Sequence, residues 1–129
     1  TFKAALYDND ITPSQTAASA STAFNAGQWA TAGNEVADGA EWATGGVALS
    51  SVTSTFSSNV YTFDAADTVS TGSSATLANV YGCLVYDDTI TTPVADQGVC
   101  YNYFGGANSV TDGTFTIAWS ASGIFAITA

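Results

Sequence analysis

From Asp112 to Thr128 the chain reads DGTFTIAWSASGIFAIT, and the strict alternation of large apolar with small residues admits few folds. Side chains of an extended strand point alternately to its two faces, so Phe115, Ile117 and Trp119 share one side. With Ala121-Ser122-Gly123 as a three-residue turn, Gly123 takes the left-handed conformation that glycine adopts without steric cost. The spacing predicts a hairpin in which Trp119 pairs with Phe125, Ile117 with Ile127, and Phe115 with Ala129. Five large residues then line a face that the rest of the chain must cover, with Ile124 the one large residue out of place. A one-residue slip would scatter them over both faces, so pattern and turn select one register.

The same alphabet runs through the rest of the chain. Phe2 to Tyr7, FKAALY, is a strand ended by Asp8-Asn9-Asp10 and the Thr12-Pro13-Ser14 turn. Residues 8–46 form a less regular Ala/Ser/Gly-rich part: Ala17 to Ala20 suits a helical turn, Thr22 to Asn25 a short strand, and Asn34 to Gly46 a loop closed by Gly45-Gly46. Val47 to Leu49 and Val52 to Phe56 read as one strand bulged at Ser50-Ser51, where the apolar parity changes. Ser57-Ser58-Asn59 turns the chain and Val60 to Phe63 returns; Asp64 to Asp67 is a loop. Thr76 to Tyr86 is the longest strand, Val99 to Phe104 comes back from a loop over 87–97, and Gly105 to Gly113 is a loop. Closely spaced strands without a convincing helix predict an all-β fold, an antiparallel β-sandwich or barrel of jelly-roll type with little helix. A chain of 129 residues without a linker or repeat makes one domain, residues 1–129, and buries about two-thirds of its unfolded surface.

Charge narrows the function. Eleven Asp and Glu stand against the single Lys3, with no His, giving a net charge of −10. Nucleic-acid binding requires cations that displace counterions from phosphates, and anionic membranes require the same, so both are excluded as partners. No run approaches the roughly 20 apolar residues of a membrane span, and TFKAALYDND lacks the apolar core of a signal peptide. A steady negative potential favours a basic macromolecular partner.

The chemistry of an active site is thin. Without His there is no Ser-His or Cys-His activation, and one Lys makes no phosphate clamp. A carboxylate pair remains as a catalytic option, at Asp87-Asp88 or Asp64 and Asp67, but solvated loop acids explain these residues as well. We therefore expect no catalytic residues and no cofactor. Asp8-Asn9-Asp10 opens like a calcium loop, yet Pro13 stands where that loop needs glycine and Ser19 where it needs its bidentate acid, so no metal site is assigned. Cys83 and Cys100 flank the 87–97 loop, and a centred turn sets them opposite one another. Opposed residues lie within disulfide reach, so they are either a stapled pair or two small buried thiols. Trp29 and Trp42 lie outside regular alternation and are core plugs, sugar-stacking platforms or anchors for a partner.

Several short segments in order along the chain resemble a family of small structural proteins of tailed bacteriophages. They are Ala5-Leu6-Tyr7 with Ile11-Thr12-Pro13; Asn34-Glu35-Val36 followed by Trp42 and Gly45-Gly46; and Phe63-Asp64-Ala65-Ala66-Asp67. Val85-Tyr86-Asp87-Asp88, Phe104-Gly105-Gly106, Gly113 to Ile117 and Ser122 to Phe125 continue the series. The longer Ala/Ser-rich stretch over 15–33 departs from that layout. The resemblance implies a virion protein of the capsid decoration or cement type: a non-enzymatic homotrimer on the outer capsid surface, assembled in the bacterial cytoplasm, with the major capsid protein as partner. Phe2, Trp29 and Trp42 are the candidate contacts with that partner. A tail, neck or fibre-associated phage protein would share this composition, and a carbohydrate-binding module would use Trp29, Trp42 or a Tyr face to stack on sugars.

Overall fold

The computed structural model describes residues 1–129 and is almost entirely β, with an antiparallel sheet curled into a half-barrel. The strands are β1 (Phe2–Tyr7), β2 (Glu35–Val36), β3 (Val47–Ala48), β4 (Thr53–Ser57), β5 (Val60–Asp64), β6 (Thr68–Val69), β7 (Ala75–Asp87), β8 (Gln97–Gly113), β9 (Thr116–Ile117) and β10 (Phe125–Thr128). The main sheet runs β2-β1-β7-β8, with β3 joining β1 further along the edge that β2 occupies. A second sheet has the order β10-β5-β4, and β6 pairs with β9.

β1 forms where the sequence predicts it and lies inside the main sheet, so both of its faces are covered. Ala4 and Leu6 face a main core with Trp42, Val80, Val85, Phe115 and Ile117. Ala5 and Tyr7 face a second core with Ile11, Trp29, Leu84 and Tyr86. Alternation on β7 follows the same division, with Cys83 and Val85 on one side and Leu84 and Tyr86 on the other. Residues 11–29 of the Ala/Ser/Gly-rich part, with Ile11, Phe24 and Trp29, are the lid of the second core. They form two single 3-10 turns, at Ser19–Ser21 and Gly27–Trp29, and a bridge from Ala23 to Gln97 in place of the expected strand over 22–25. Small residues let that segment lie close to the sheet while Phe24 stacks on Tyr86 at 4.6 Å between ring centroids.

Four expectations change. Val47 to Phe56 is not one bulged strand: β3 belongs to the main sheet and β4 to the second, and the chain crosses between them through Ser51 at φ +51°. The C-terminal stretch turns at Gly123 as predicted, with φ +97° and its N–H bonded to the Ser120 carbonyl at 2.8 Å. Its two arms then part: Ile117 pairs with Thr68, while Phe125 pairs with Phe63 and Ile127 with Tyr61. Periodicity fixes which face a residue occupies but not which strand lies beside it. Ile124, out of place in the predicted hairpin, is buried, whereas Ile127 is 60% exposed. Residues 105–113 form no loop but continue β8 against the long β7, with Gly105 at φ +81° and register shifts absorbing the irregularity.

The fourth change concerns the cysteines. The β7–β8 ladder pairs Cys83 with Asn102 and Cys100 with Val85, so the two thiols are not opposed and both are free. The predicted register sets Tyr86 opposite Gln97; instead Asp87 pairs with Gln97, one residue away, and a bulge at Val99 advances the strand again. Gly82 pairs with Tyr103, and the Tyr101 ring lies over the space that Gly82 leaves.

Candidate interaction surface

The loop carrying Trp42 is built on Asp38. Its Oδ1 accepts the N–H groups of Ala40, Glu41 and Trp42 at 3.1, 2.9 and 2.8 Å, and its Oδ2 accepts Thr76 N–H at 3.2 Å. The Trp42 N–H foremost, then those of Ala40, Thr76 and Glu41, hold the Asp38 carboxyl below the ordinary carboxylate range, against an opposing effect of burial. So aimed, Trp42 is fully buried: its indole N–H donates to the Ala4 carbonyl at 3.2 Å, and its ring meets Phe115 edge-on at 5.6 Å. Gly46 closes the loop at φ +83°, so near the Ala4 carbonyl that a Cβ would collide with it.

Trp29 is 4% exposed, held between Tyr7 and Tyr101 at centroid distances of 5.5 and 5.0 Å. The Tyr7 hydroxyl donates to the Trp29 carbonyl at 2.8 Å. Phe2 is half-buried, edge-on to Phe63 at 5.0 Å. The three candidate contact residues therefore do not form one surface patch. Both tryptophans are core plugs, and neither presents a ring to a sugar or a partner.

The acidic residues are also scattered. Asp87 caps its own loop by accepting the Thr89 N–H at 2.9 Å, and Asp88 pairs with Lys3 at 2.7 Å. Asp67 accepts the Trp119 N–H at 3.0 Å, and Asp64 that of Ala65 at 2.8 Å. No three carboxylates or thiols come together as a metal-holding group. Glu35 has an unusual position: Oε1 accepts Gly45 N–H at 2.6 Å while Oε2 is buried without a partner. Burial pushes its carboxyl above the ordinary range, with the Gly45 N–H opposing.

A cleft of about 440 Å³ opens between Pro13–Gln15 and β8 around Gly98–Tyr101. Its polar groups largely satisfy one another: Gln28 Oε1 accepts Ser14 N–H at 2.7 Å, and the Gln97 amide donates to the Thr22 hydroxyl at 2.6 Å.

The exposed apolar side chains that do form a row are on the second sheet. Phe56, Tyr61 and Ile127 lie directly opposite one another across β4, β5 and β10. Phe56 is 68% exposed and Ile127 60%. In the neighbouring row on the same face, Ser54, Phe63 and Phe125, the two phenylalanines sit over the core, with Phe63 buried, while Ser54 is exposed. The Phe56 row lies two residues nearer the Ser58-Asn59 turn, about 7 Å further on. The sheet thus carries its core-facing side to the rim of the core, where the half-buried Tyr61 still packs on it and Phe56 and Ile127 stand in solvent. Apolar alternation in Val52 to Phe56 and Val60 to Phe63 was visible in sequence, but the row needs β10 beside β5. Comparisons with protein-family models, with curated proteins and with solved structures return no match. The class defined by fold and surface is an acidic all-β domain with an exposed apolar row.

Proposed function

We propose that the chain is a non-enzymatic virion structural protein, a capsid decoration or cement protein that binds and stabilises the major capsid protein lattice. One observation carries the reading beyond the motif resemblance. The chain's only basic side chain, Lys3, is bound to Asp88, so the carboxylates other than Asp87 and Asp88 have no cationic partner within the chain. An acidic exterior left unneutralised favours a basic or polar surface as its partner. Each contact is weak, and repetition over a lattice makes the clamp effective. Copy number in gradient-purified virions, by quantitative mass spectrometry against the major capsid protein, tests the proposal. A copy number near that of the capsid subunit is expected; a handful of copies assigns the chain to tail or neck, and absence overturns a virion role. Stripping by rising salt tests the electrostatic part, since attachment unchanged from low to about molar salt refutes charge complementarity as the glue.

A further inference from the structure

β4 is an edge strand without the devices that normally block edges. All five residues, TSTFS, are exposed, and none is charged or proline. Its register with β5 is unbroken from Thr53–Asp64 to Ser57–Val60, so no bulge twists it away. No backbone hydrogen bond from a loop or turn covers it. The long edge of β8 differs: Thr22 and Phe24 cover its start, through bonds to Gly98 and Asp96, and register shifts break the rest. An unguarded edge beside an exposed aromatic row is a template for another strand.

The hydrogen-bond phase of that edge follows from the hairpin. Ser58 and Asn59 have φ +51° and +64°, the two-residue turn whose flanking residues, here Ser57 and Val60, exchange both bonds. Ser57, Thr55 and Thr53 therefore direct their backbone groups to β5, and Ser54 and Phe56 direct theirs outward. An antiparallel copy of β4 centred on Thr55 sets Ser54 against Phe56 of the second copy and Phe56 against Ser54. Both pairs then exchange two bonds, all five residues overlap, and both Phe56 rings stand on one face. The same edge is self-complementary under a two-fold axis, which closes it in both copies at once.

Charge selects the occupant. Across β4, β5 and β10 the only charged residue is Asp64, at the end of β5 away from the turn. In a chain of net charge −10, this is a place where two copies can meet without opposing carboxylates, whereas a basic partner gains nothing from it. We propose that a second copy of the chain pairs on β4, joining two three-stranded sheets into one six-stranded antiparallel sheet in which the Ile127–Tyr61–Phe56 row of each copy runs on into the Ser54–Phe63–Phe125 row of the other. The inference does not depend on a virion role.

Sedimentation velocity of the full chain, from about 1 to 200 µM and at about 20 and 500 mM salt, tests it. The expected result is concentration-dependent conversion from 13.1 kDa to twice that mass, with more dimer at high salt because screening removes like-charge repulsion. Ser54→Pro removes an outward N–H while leaving the bonds to β5, a position where an edge tolerates proline. Two lost hydrogen bonds per dimer weaken it about 30-fold. Should that variant melt early, Phe56→Asp, which leaves the backbone intact, decides the matter by losing the dimer while keeping the wild-type circular dichroism. A single 13.1 kDa species throughout, a trimer, or a dimer that persists in the folded variants overturns the pairing. So does a monomer whose Phe56→Asp form fails to attach to virions, which assigns the edge to the capsid.

Discussion

Replacing Asp38 tests whether one carboxylate organises the Trp42 loop. Asp38→Ala removes the acceptor for four backbone N–H groups. The Ala40 and Thr76 bonds are exposed, so water replaces the carboxylate there at little cost. Those to Glu41 and Trp42 are partly buried, and each donor left without a partner costs about 1–2 kcal/mol. The expected loss is thus about 2–4 kcal/mol, and part of it comes from Trp42 leaving its fully buried site. Urea unfolding followed by tryptophan fluorescence reads both, as a lower midpoint and as a red-shifted native emission. Asp38→Asn keeps the shape and loses the charge, so its deficit should be smaller and should depend on pH. Because the folded carboxyl titrates below its ordinary value, its contribution is present above the unfolded value of about 3.9 and is lost as pH falls through the folded one. The wild-type advantage over Asp38→Asn therefore fades in acid. A midpoint for Asp38→Ala equal to wild type, with unchanged emission, would refute the loop's dependence on this residue.

Glu35→Gln gives the opposite sign. The folded carboxyl is raised, so the charged form is disfavoured by folding and stability falls as pH climbs from the ordinary glutamate value through the raised one. Glutamine retains an acceptor for Gly45 and carries no charge, so the variant should be the more stable at pH 7 and equal wild type in acid; lower stability at pH 7 would show that the carboxylate itself is needed. Gly46→Ala sets a side chain against β1 at a left-handed backbone position, and a loss of about 2 kcal/mol or more in the same urea assay is expected, with wild-type stability counting against the close approach. Alkylation in denaturant without reductant should add two labels, whereas in the native state Cys83 should react slowly, since it is buried and desolvation pushes its thiol pKa up. No label in denaturant would establish a disulfide.

Much of the fold is written locally. β1, the Ser58-Asn59 hairpin, β7 and the left-handed Gly123 turn follow from alternation and turn chemistry, which act over a few neighbouring residues. The all-β class follows from the same signals, and the −10 charge with one lysine is a property of composition alone. Partners joined by the β4–β5 and β7–β8 turns were legible, but partners beyond such hairpins were not. Ile117 pairs with β6 and Ile127 with β5, although the C-terminal stretch is equally consistent with a hairpin, because a period of two identifies a face and not a neighbour. The cysteine register turned on a one-residue offset at the Asp87–Gln97 pair and a further bulge at Val99, which costs little locally and shifts every later pair. Trp29 and Trp42 lay outside any periodic segment, and their burial depends on a cap at Asp38 and a lid over β1 and β7 assembled from distant residues. The exposed row needs three strands in register before Phe56 and Ile127 meet Tyr61. Sequence by itself determined the strands, their faces and the charge, because those arise from nearest neighbours and residue type. The tertiary structure alone decided which strands pair beyond the hairpins, which aromatics are enclosed and which apolar row stays open, because these depend on how long-range pairing divides a limited core among competing faces.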